Sequence, residues 1–438
     1  MIFTRPSADT IFATATAPGR AAISITRISG DRTQAILNRL IGQVPPERLM
    51  TLAKIISPDT KEVLDEALIV YFAKGKSYTG EDSAELHLHG GRAVTQAVAQ
   101  CLLKAKARLA EPGEFTLRAL LNGRMDIAQV EGLGDLIDAQ TEKQRDQAMR
   151  AFRGKTSGQT NQWRDELIQC LALVETEIEF TDEAIPPDIK QRAENVLLSL
   201  HHSLLEELKG VKHAERLREG YEVAIVGLPN SGKSTLLNYL AKRDAAITSS
   251  IPGTTRDVLE VQMDLDGLPV NFLDTAGLRE TQDRVEQLGI SKTKERAKAA
   301  DLRIFLLNRD ETSLPGVIAK ASDIKVIAKS DLYNDLKSFG VSGKTGQGVD
   351  TLLKLVTEKL EDSVQQVGAM INARQRVAIE QTVQCLDNAM MELTKDHGVD
   401  EIAAEEIRGA VKALETITGR IDIENVLGDI FQNFCIGK

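Results

Sequence analysis

One run of eight residues constrains this chain more than any other: Gly227-Leu228-Pro229-Asn230-Ser231-Gly232-Lys233-Ser234. It fits the pattern GxxxxGK followed by Ser or Thr, and it lies between a short apolar run, Tyr221–Val226, and a helical pattern, Ser234–Leu240. A glycine-rich loop between strand and helix lets backbone N–H groups curl around phosphate oxygens, and the helix N-terminus adds partial positive charge. Lys233 is placed to neutralise the β- and γ-phosphates, and the Ser234 hydroxyl to bind Mg²⁺. Asn230, Ser231, Gly232 and Thr235 complete the phosphate side. An apolar strand without polar alternation must be covered on both faces, so this loop demands a doubly wound parallel α/β domain around it. A ligand-free glycine turn is the bland alternative, and the flanking strand and helix argue against it.

Further segments follow in the order a GTPase requires. Val258–Leu265 and Leu268–Leu273 flank Asp266-Gly267, a strong hairpin signal, and the second strand runs into Asp274-Thr275-Ala276-Gly277. Asp274 is placed to hold Mg²⁺ through water, and the Gly277 N–H to sense the γ-phosphate. Thr254-Thr255, between loop and hairpin, is where a switch threonine completes the magnesium shell. Leu302–Leu307 and Lys325–Ala328 read as further strands, the latter ending in Ala328-Lys329-Ser330-Asp331. This resembles the NKxD guanine motif with its asparagine replaced by Ala328, while Asp331 remains to accept two hydrogen bonds from guanine. Ser342-Gly343-Lys344 resembles the loop that meets the guanine carbonyl. In this order and spacing the set points to GTP rather than to a generic ATPase.

Around this domain the texture changes twice. Residues 1–118 mix β-rich runs (Thr10–Ala15, Ala22–Arg27, Ala67–Phe72 and Ser83–His89) with helical spacing over Arg32–Ile41 and Ala93–Ala105. Residues 119–219 turn helical, with one long pattern from Asp126 through Phe152, then Gln162–Phe180 and Ile189–Lys209. The α/β segment occupies 220–362, and helical pattern resumes over 363–438 in Gln375–Leu393, Ala403–Thr418 and Asn425–Phe434. The expected fold is therefore multidomain α/β: an N-terminal α+β domain, a discontinuous all-α domain, and a P-loop domain inserted into it. A length of 438 residues fits several domains, and the net charge of −10 excludes a generically basic nucleic-acid binder. Four scattered cysteines without a CxxC pair speak against a disulfide or zinc framework and for a reducing cytoplasm. Neither a signal segment nor a membrane span is legible.

These motifs together resemble the MnmE (TrmE) family over essentially the whole length. The resemblance is carried by the P-loop, by Ile251-Pro252-Gly253-Thr254-Thr255-Arg256-Asp257 and by Asp274–Arg279. Thr79-Gly80-Glu81-Asp82, Glu111-Pro112-Gly113-Glu114-Phe115-Thr116 and the tail Cys435-Ile436-Gly437-Lys438 discriminate this family from other GTPases. The resemblance implies a first domain that binds folate and forms a homodimer. It also implies a flavin-dependent MnmG-type partner in a heterotetramer, with tRNA as substrate. Together they would add an aminomethyl-type group to C5 of the wobble uridine, with 5,10-methylene- or 5-formyl-tetrahydrofolate as one-carbon donor. K⁺ would take the place of an arginine finger, held by the Asn230 side chain of the P-loop and by oxygens of Ser249, Ile251 and Thr254, in a loop that also contains Ser250, Pro252 and Gly253. Ser234 and Thr255 would hold Mg²⁺, and Glu286 would position the attacking water. Folate would meet Arg27, Glu85, Arg124 and Lys438, with Arg124 standing where the family commonly has lysine.

Several features carry a blander reading. His87 and His89 form an HxH pair that more often reports strand packing than a metal. Cys435 reads as a nucleophile or as a buried thiol. Arg256 and Arg279 more often pair with acids than act in catalysis. Two other functions stay open: a ribosome-assembly GTPase, although no KH-like domain follows, and a folate-dependent one-carbon enzyme with a regulatory G domain.

Overall fold

The β-rich runs at the start of the chain pair into a sheet whose two faces differ sharply. A computed structural model describes residues 9–179, 188–243, 245–247, 260–274, 299–313, 320–333, 335, 338–364, 368–395, 400–421 and 437, which divide into two compact units: 1–134 with 415–438, and 135–414.

In the first unit, strands β1 (Thr10–Thr14), β2 (Ile23–Ser29), β3 (Thr51–Ile56), β4 (Val63–Phe72), β5 (Ser83–His89) and β6 (Ala107–Leu109) stand in the order β3-β4-β5-β2-β1-β6. All pairs are antiparallel except β1 with β6. Alternation sends Leu86, Leu88, Ile28 and Phe12 to one face, where they pack with Ile36 and Leu37 of helix α1 (Thr33–Ile41) and Val98 and Leu102 of α2 (Arg92–Lys104). The opposite face carries Arg27, Glu85 and His87. Helix α3 (Glu114–Leu121) covers its β1 end through Phe115, which packs on Ile11 and Ala13. Farther across the same face Ile23, Leu52 and Leu68 are 56%, 62% and 40% exposed. The unit also holds a fully buried Arg118, paired with Asp9 at 2.7 Å, Glu114 at 2.9 Å and Glu81 at 3.1 Å.

The pattern from Asp126 through Phe152 is two helices rather than one: α4 (Ile127–Asp138) and α5 (Glu142–Phe152). Thr141 interrupts it, because its hydroxyl accepts from the Gln144 N–H while the Gln144 side chain returns to the Thr141 backbone. In the second unit α6 (Lys155–Glu179) packs along α7 (Ile189–Glu219), and α10 (Ala373–Leu393) packs along α7 as well. Thr156 on α6 donates to Ala369 O, and Glu207 on α7 accepts from the backbone N–H groups of Ala369 and Met370. Helical segments on either side of the α/β stretch therefore form one layer.

Between them, β7 (Tyr221–Gly227), β8 (Glu260–Leu265), β9 (Leu268–Asp274), β10 (Leu302–Leu307), β11 (Ile324–Ala328) and β12 (Gly340–Val341) stand in the order β12-β11-β10-β7-β9-β8. Only β8 runs antiparallel to its neighbour, as the Asp266-Gly267 hairpin requires. Helices α8 (Lys233–Leu240) and α9 (Val349–Val364) belong to this part, and α11 (Asp400–Thr418) follows α10. Lys143 on α5 lies against Gly267 of the hairpin turn and forms an ion pair with Glu361 on α9 at 2.9 Å. The multidomain α/β class with an inserted doubly wound sheet is thus the one expected. Among the described residues no helix is long and apolar enough to cross a membrane.

Arg118 generates a stability prediction. Replacing it with alanine takes the buried cation from Asp9, Glu81 and Glu114, of which Asp9 and Glu114 keep Arg108, so the change costs about 3 kcal/mol, the low end for a broken buried pair. Amide exchange in β1 and α3 should accelerate accordingly, while the fluorescence of Trp163, buried in the second unit, keeps its denaturation midpoint. The burial of Glu114 raises its pKa, but bonds from Arg108, the Glu111 backbone and Arg118 outweigh this and hold it below the usual value. Its contribution is therefore present above about pH 4.3, the unperturbed glutamate value, and is lost as pH falls through the lower folded value.

Candidate nucleotide and folate sites

At the C-terminal end of β7 the chain must turn sharply into α8, and the close approach here admits only glycine. A Cβ on Gly227 would lie 2.6 Å from Ser231 Oγ and 2.8 Å from Leu306 O. Asn230 and Gly232 both take left-handed backbone, with φ of 61° and 102°. These reversals aim successive backbone N–H groups into one concavity at the start of α8. Lys233 is buried and its Nζ donates to Gly227 O and Leu228 O, each at 2.9 Å. Burial pushes the ammonium below its ordinary pKa, against the pull of Asp274. Ser234 Oγ donates to Asp274 Oδ2 at 2.7 Å, so the two residues expected beside Mg²⁺ come from distant segments to one point. Two hard oxygen donors in contact suit a small divalent cation.

The base side is a cavity of about 370 Å³ beside the loop. Ser231, Gly232 and Thr235 line one wall, Ala328, Lys329 and Asp331 another, and Ser342, Gly343 and Lys344 a third. Ser330 is buried next to them and starts a single turn of 3-10 helix, Ser330–Leu332, whose cap residue Lys329 is left-handed with φ of 57°. Ser342 Oγ accepts from the N–H groups of Lys344 at 3.3 Å and Thr345 at 3.2 Å, which shapes the third wall. Ser249, Ser250, Ile251, Pro252, Gly253, Thr254, Thr255, Thr275, Ala276, Gly277 and Glu286 lie outside the described residues.

The first unit contains a second cluster. Arg27 donates from Nε and Nη2 to Glu85 Oε1, at 3.1 and 2.9 Å, and from Nη1 to Gly437 O at 3.4 Å. Its guanidinium lies 5.3 Å from the ring centre of Tyr78 and 5.7 Å from that of Phe115. Arg124 is exposed and rests its aliphatic stem on Gly80. Cys435 and Lys438 lie outside the described residues, whereas Gly437 between them is at the site. Sequence reasoning missed Tyr78 and Phe115 as supports for Arg27. Phe115 was visible inside a quoted motif, but nothing in its spacing announced a guanidinium partner.

Gly343 gives a test of the base pocket. A Cβ there would lie 2.5 Å from Leu236 N and 2.6 Å from Leu236 Cα, both backbone atoms that cannot swing aside. Gly343→Ala should push the third wall away from α8 at a cost of about 1–3 kcal/mol. That corresponds to a roughly 5- to 150-fold weaker affinity for a fluorescent GDP analogue. Unchanged affinity would remove the Ser342–Lys344 loop from the nucleotide site.

Comparison with known proteins agrees with both halves. Residues 10–124 match the family model described as "GTP-binding protein TrmE N-terminus", and residues 127–435 match "MnmE helical domain". A protein of Cereibacter sphaeroides named "tRNA modification GTPase MnmE" is 49% identical over 98% of this chain and 100% of its own length. Proteins of the same name from Roseobacter denitrificans and Dinoroseobacter shibae are 46% and 47% identical over the same shares. Among solved structures, a GTP-binding protein from Sulfolobus solfataricus in complex with GDP shares 13% identity, covering 46% of this chain and 67% of its own. Its TM-score is 0.23. Full-length identity near one half, spanning both units, leaves one conclusion: this chain belongs to the MnmE (TrmE) family of tRNA modification GTPases.

Proposed function

We propose that the protein is a K⁺-stimulated GTPase of the cytoplasm that serves tRNA wobble-uridine modification with a tetrahydrofolate one-carbon unit. The observation that carries this reading is the presence, in one chain, of the Ser234–Asp274 pair, of a cavity of about 370 Å³ lined by Asp331 and the P-loop, and of the Arg27–Glu85–Gly437 cluster. In this reading the chain divides into 1–118 for folate and dimerisation, 119–219 and 363–438 as the helical domain, and 220–362 as the G domain.

On the nucleotide side, Lys233 and the loop amides bind the β- and γ-phosphates of GTP, and Asp331 accepts from the guanine edge. Ser234, Thr255 and, through water, Asp274 would hold Mg²⁺, which would supply positive charge to neutralise the phosphates. Asn230, exposed at the crest of the loop, is an accessible ligand for K⁺ together with Ser249, Ile251 and Thr254. Glu286 orients the attacking water. Thr275, Ala276 and Gly277 close the γ-phosphate side, and Ser250, Pro252 and Gly253 shape the potassium loop.

On the folate side, Arg27 and Arg124 are cations for an acidic glutamate tail, and Glu85 is an acceptor for a pterin edge. The aromatic rings over Arg27 hold that cation in place, and the Glu85 oxygen not used by Arg27 fits a ring N–H donor. Lys438 and Cys435, one and two residues along the chain from Gly437, would add an ammonium and a thiol. The open patch of Ile23, Leu52 and Leu68 is apolar surface suited to a second copy of the chain, which supports a homodimer through the first domain. The MnmG-type flavoprotein partner and the tRNA come into this reading from the family alone.

Two measurements test it. Mass spectrometry of wobble nucleosides after deletion of the gene should show loss of the C5 modification, and unchanged nucleosides would sink the assignment. GTP turnover should be faster in K⁺ than in Na⁺ at equal ionic strength, and Asn230→Ala should abolish most of that difference while GDP affinity stays within a few-fold. Equal rates in both salts for the parent protein would remove K⁺ from the mechanism.

A further inference from the structure

The HxH pair on β5 is not absorbed by either site, and the structure splits it. His89 Nδ1 pairs with Asp65 at 2.7 Å on the outer part of the sheet. His87 shares the face of Glu85 and Arg27, and its Nε2 lies 3.6 Å from Glu85 Oε2. That nitrogen is buried and has no hydrogen-bond partner. Its cross-strand neighbours are Ile25 on β2 and Leu68 on β4, both apolar, so neither competes for it.

We propose that His87 is a positioning residue for Glu85: the structure brings its unpartnered Nε2 to the one carboxylate oxygen that Arg27 does not hold. The inference rests on the folate reading of this site. The argument is geometric. Arg27 places two hydrogen bonds on Oε1, and a carboxylate gripped at one oxygen still rocks about its last torsion, which is broad and soft. A second contact at Oε2 fixes the plane. Oε2 then presents its remaining lone pair in one direction, toward a ring N–H or amine donor of a reduced pterin. A buried ring nitrogen left without a partner costs about 1–3 kcal/mol, which favours closing the 3.6 Å gap to Oε2. Plain packing is the competing account. It predicts that any ring of similar shape serves as well.

The test is equilibrium binding of 5-formyltetrahydrofolate to the full chain, with thermal melting as the check on folding. His87→Phe keeps the ring and loses the donor, and affinity should fall about tenfold, the size of one hydrogen bond to a charged group. His87→Gln, whose amide N–H reaches similarly far, should bind within about threefold of the parent. Should His87→Phe melt early, His87→Leu serves in its place with the same expectation. Parent-level affinity in the phenylalanine or leucine variant overturns the assignment in favour of packing. Affinity in His87→Gln as low as in His87→Phe overturns it too, because the bond would then not be what matters. No binding by the parent protein overturns the folate reading itself, and this assignment with it.

Discussion

The second unit depends on burying strand β9 completely. All seven residues from Leu268 to Asp274 are buried, and a strand with no exposed side chain must be covered on both faces. Helix α8 leaves the P-loop to pack against it, and α5 and α7 of the helical layer pack against it as well. The strand that delivers Asp274 to Ser234 is therefore also the seat of the helices. The sheet has no solvent-facing surface to offer at this strand, so its helical neighbours complete its core. Lys143, laid over the hairpin turn and tied to Glu361, closes the same contact at the other end of the strand.

How far this was legible varies with the physics that decides each part. The parallel strands announced themselves as apolar runs, and the P-loop as a glycine pattern, because both obey local rules. Leu86 and Leu88 alternating with Glu85 and His87 disclosed a half-covered strand. The short strands Thr51–Ile56 and Ala107–Leu109 were missed, since strand order and pairing decide them rather than their own composition. The helix start at Thr141 was legible as the Thr-x-x-Gln pattern of Thr141 and Gln144, and the structure shows the reciprocal cap that this pattern makes. Among site residues, the Ser234–Asp274 meeting follows from motif order. The placement of Arg27 near the rings of Tyr78 and Phe115, and the approach of Asp9 and Glu81 to the buried Arg118, depend on tertiary contact that no spacing encodes, whereas Glu114 and Arg118 are an i,i+4 pair on α3.

The two sites solve one electrostatic problem in different ways. The chain carries a net charge of −10, yet each cluster gathers positive groups at one point. At the P-loop the positive potential comes mainly from backbone N–H groups and a helix end, with a single ammonium kept dry against two carbonyls. At Arg27 the guanidinium lies near two aromatic rings and is paired with the Glu85 carboxylate, which offsets its charge. Local placement rather than overall charge governs what each can attract.

The bond from Arg27 to Gly437 spans 410 residues, against 58 for the bond from Arg27 to Glu85. Closing the larger loop costs roughly 2 kcal/mol more in chain entropy if nothing in between has folded. During synthesis, then, the strands around Arg27 can pair early, while the ring of contacts at its guanidinium stays incomplete through translation of the helical layers and the inserted sheet. Prior folding of those intervening parts shortens the effective loop and lowers that entropy. The order of translation is thus built into the cluster: Arg27 is made 410 residues before the partner that completes its ring of contacts.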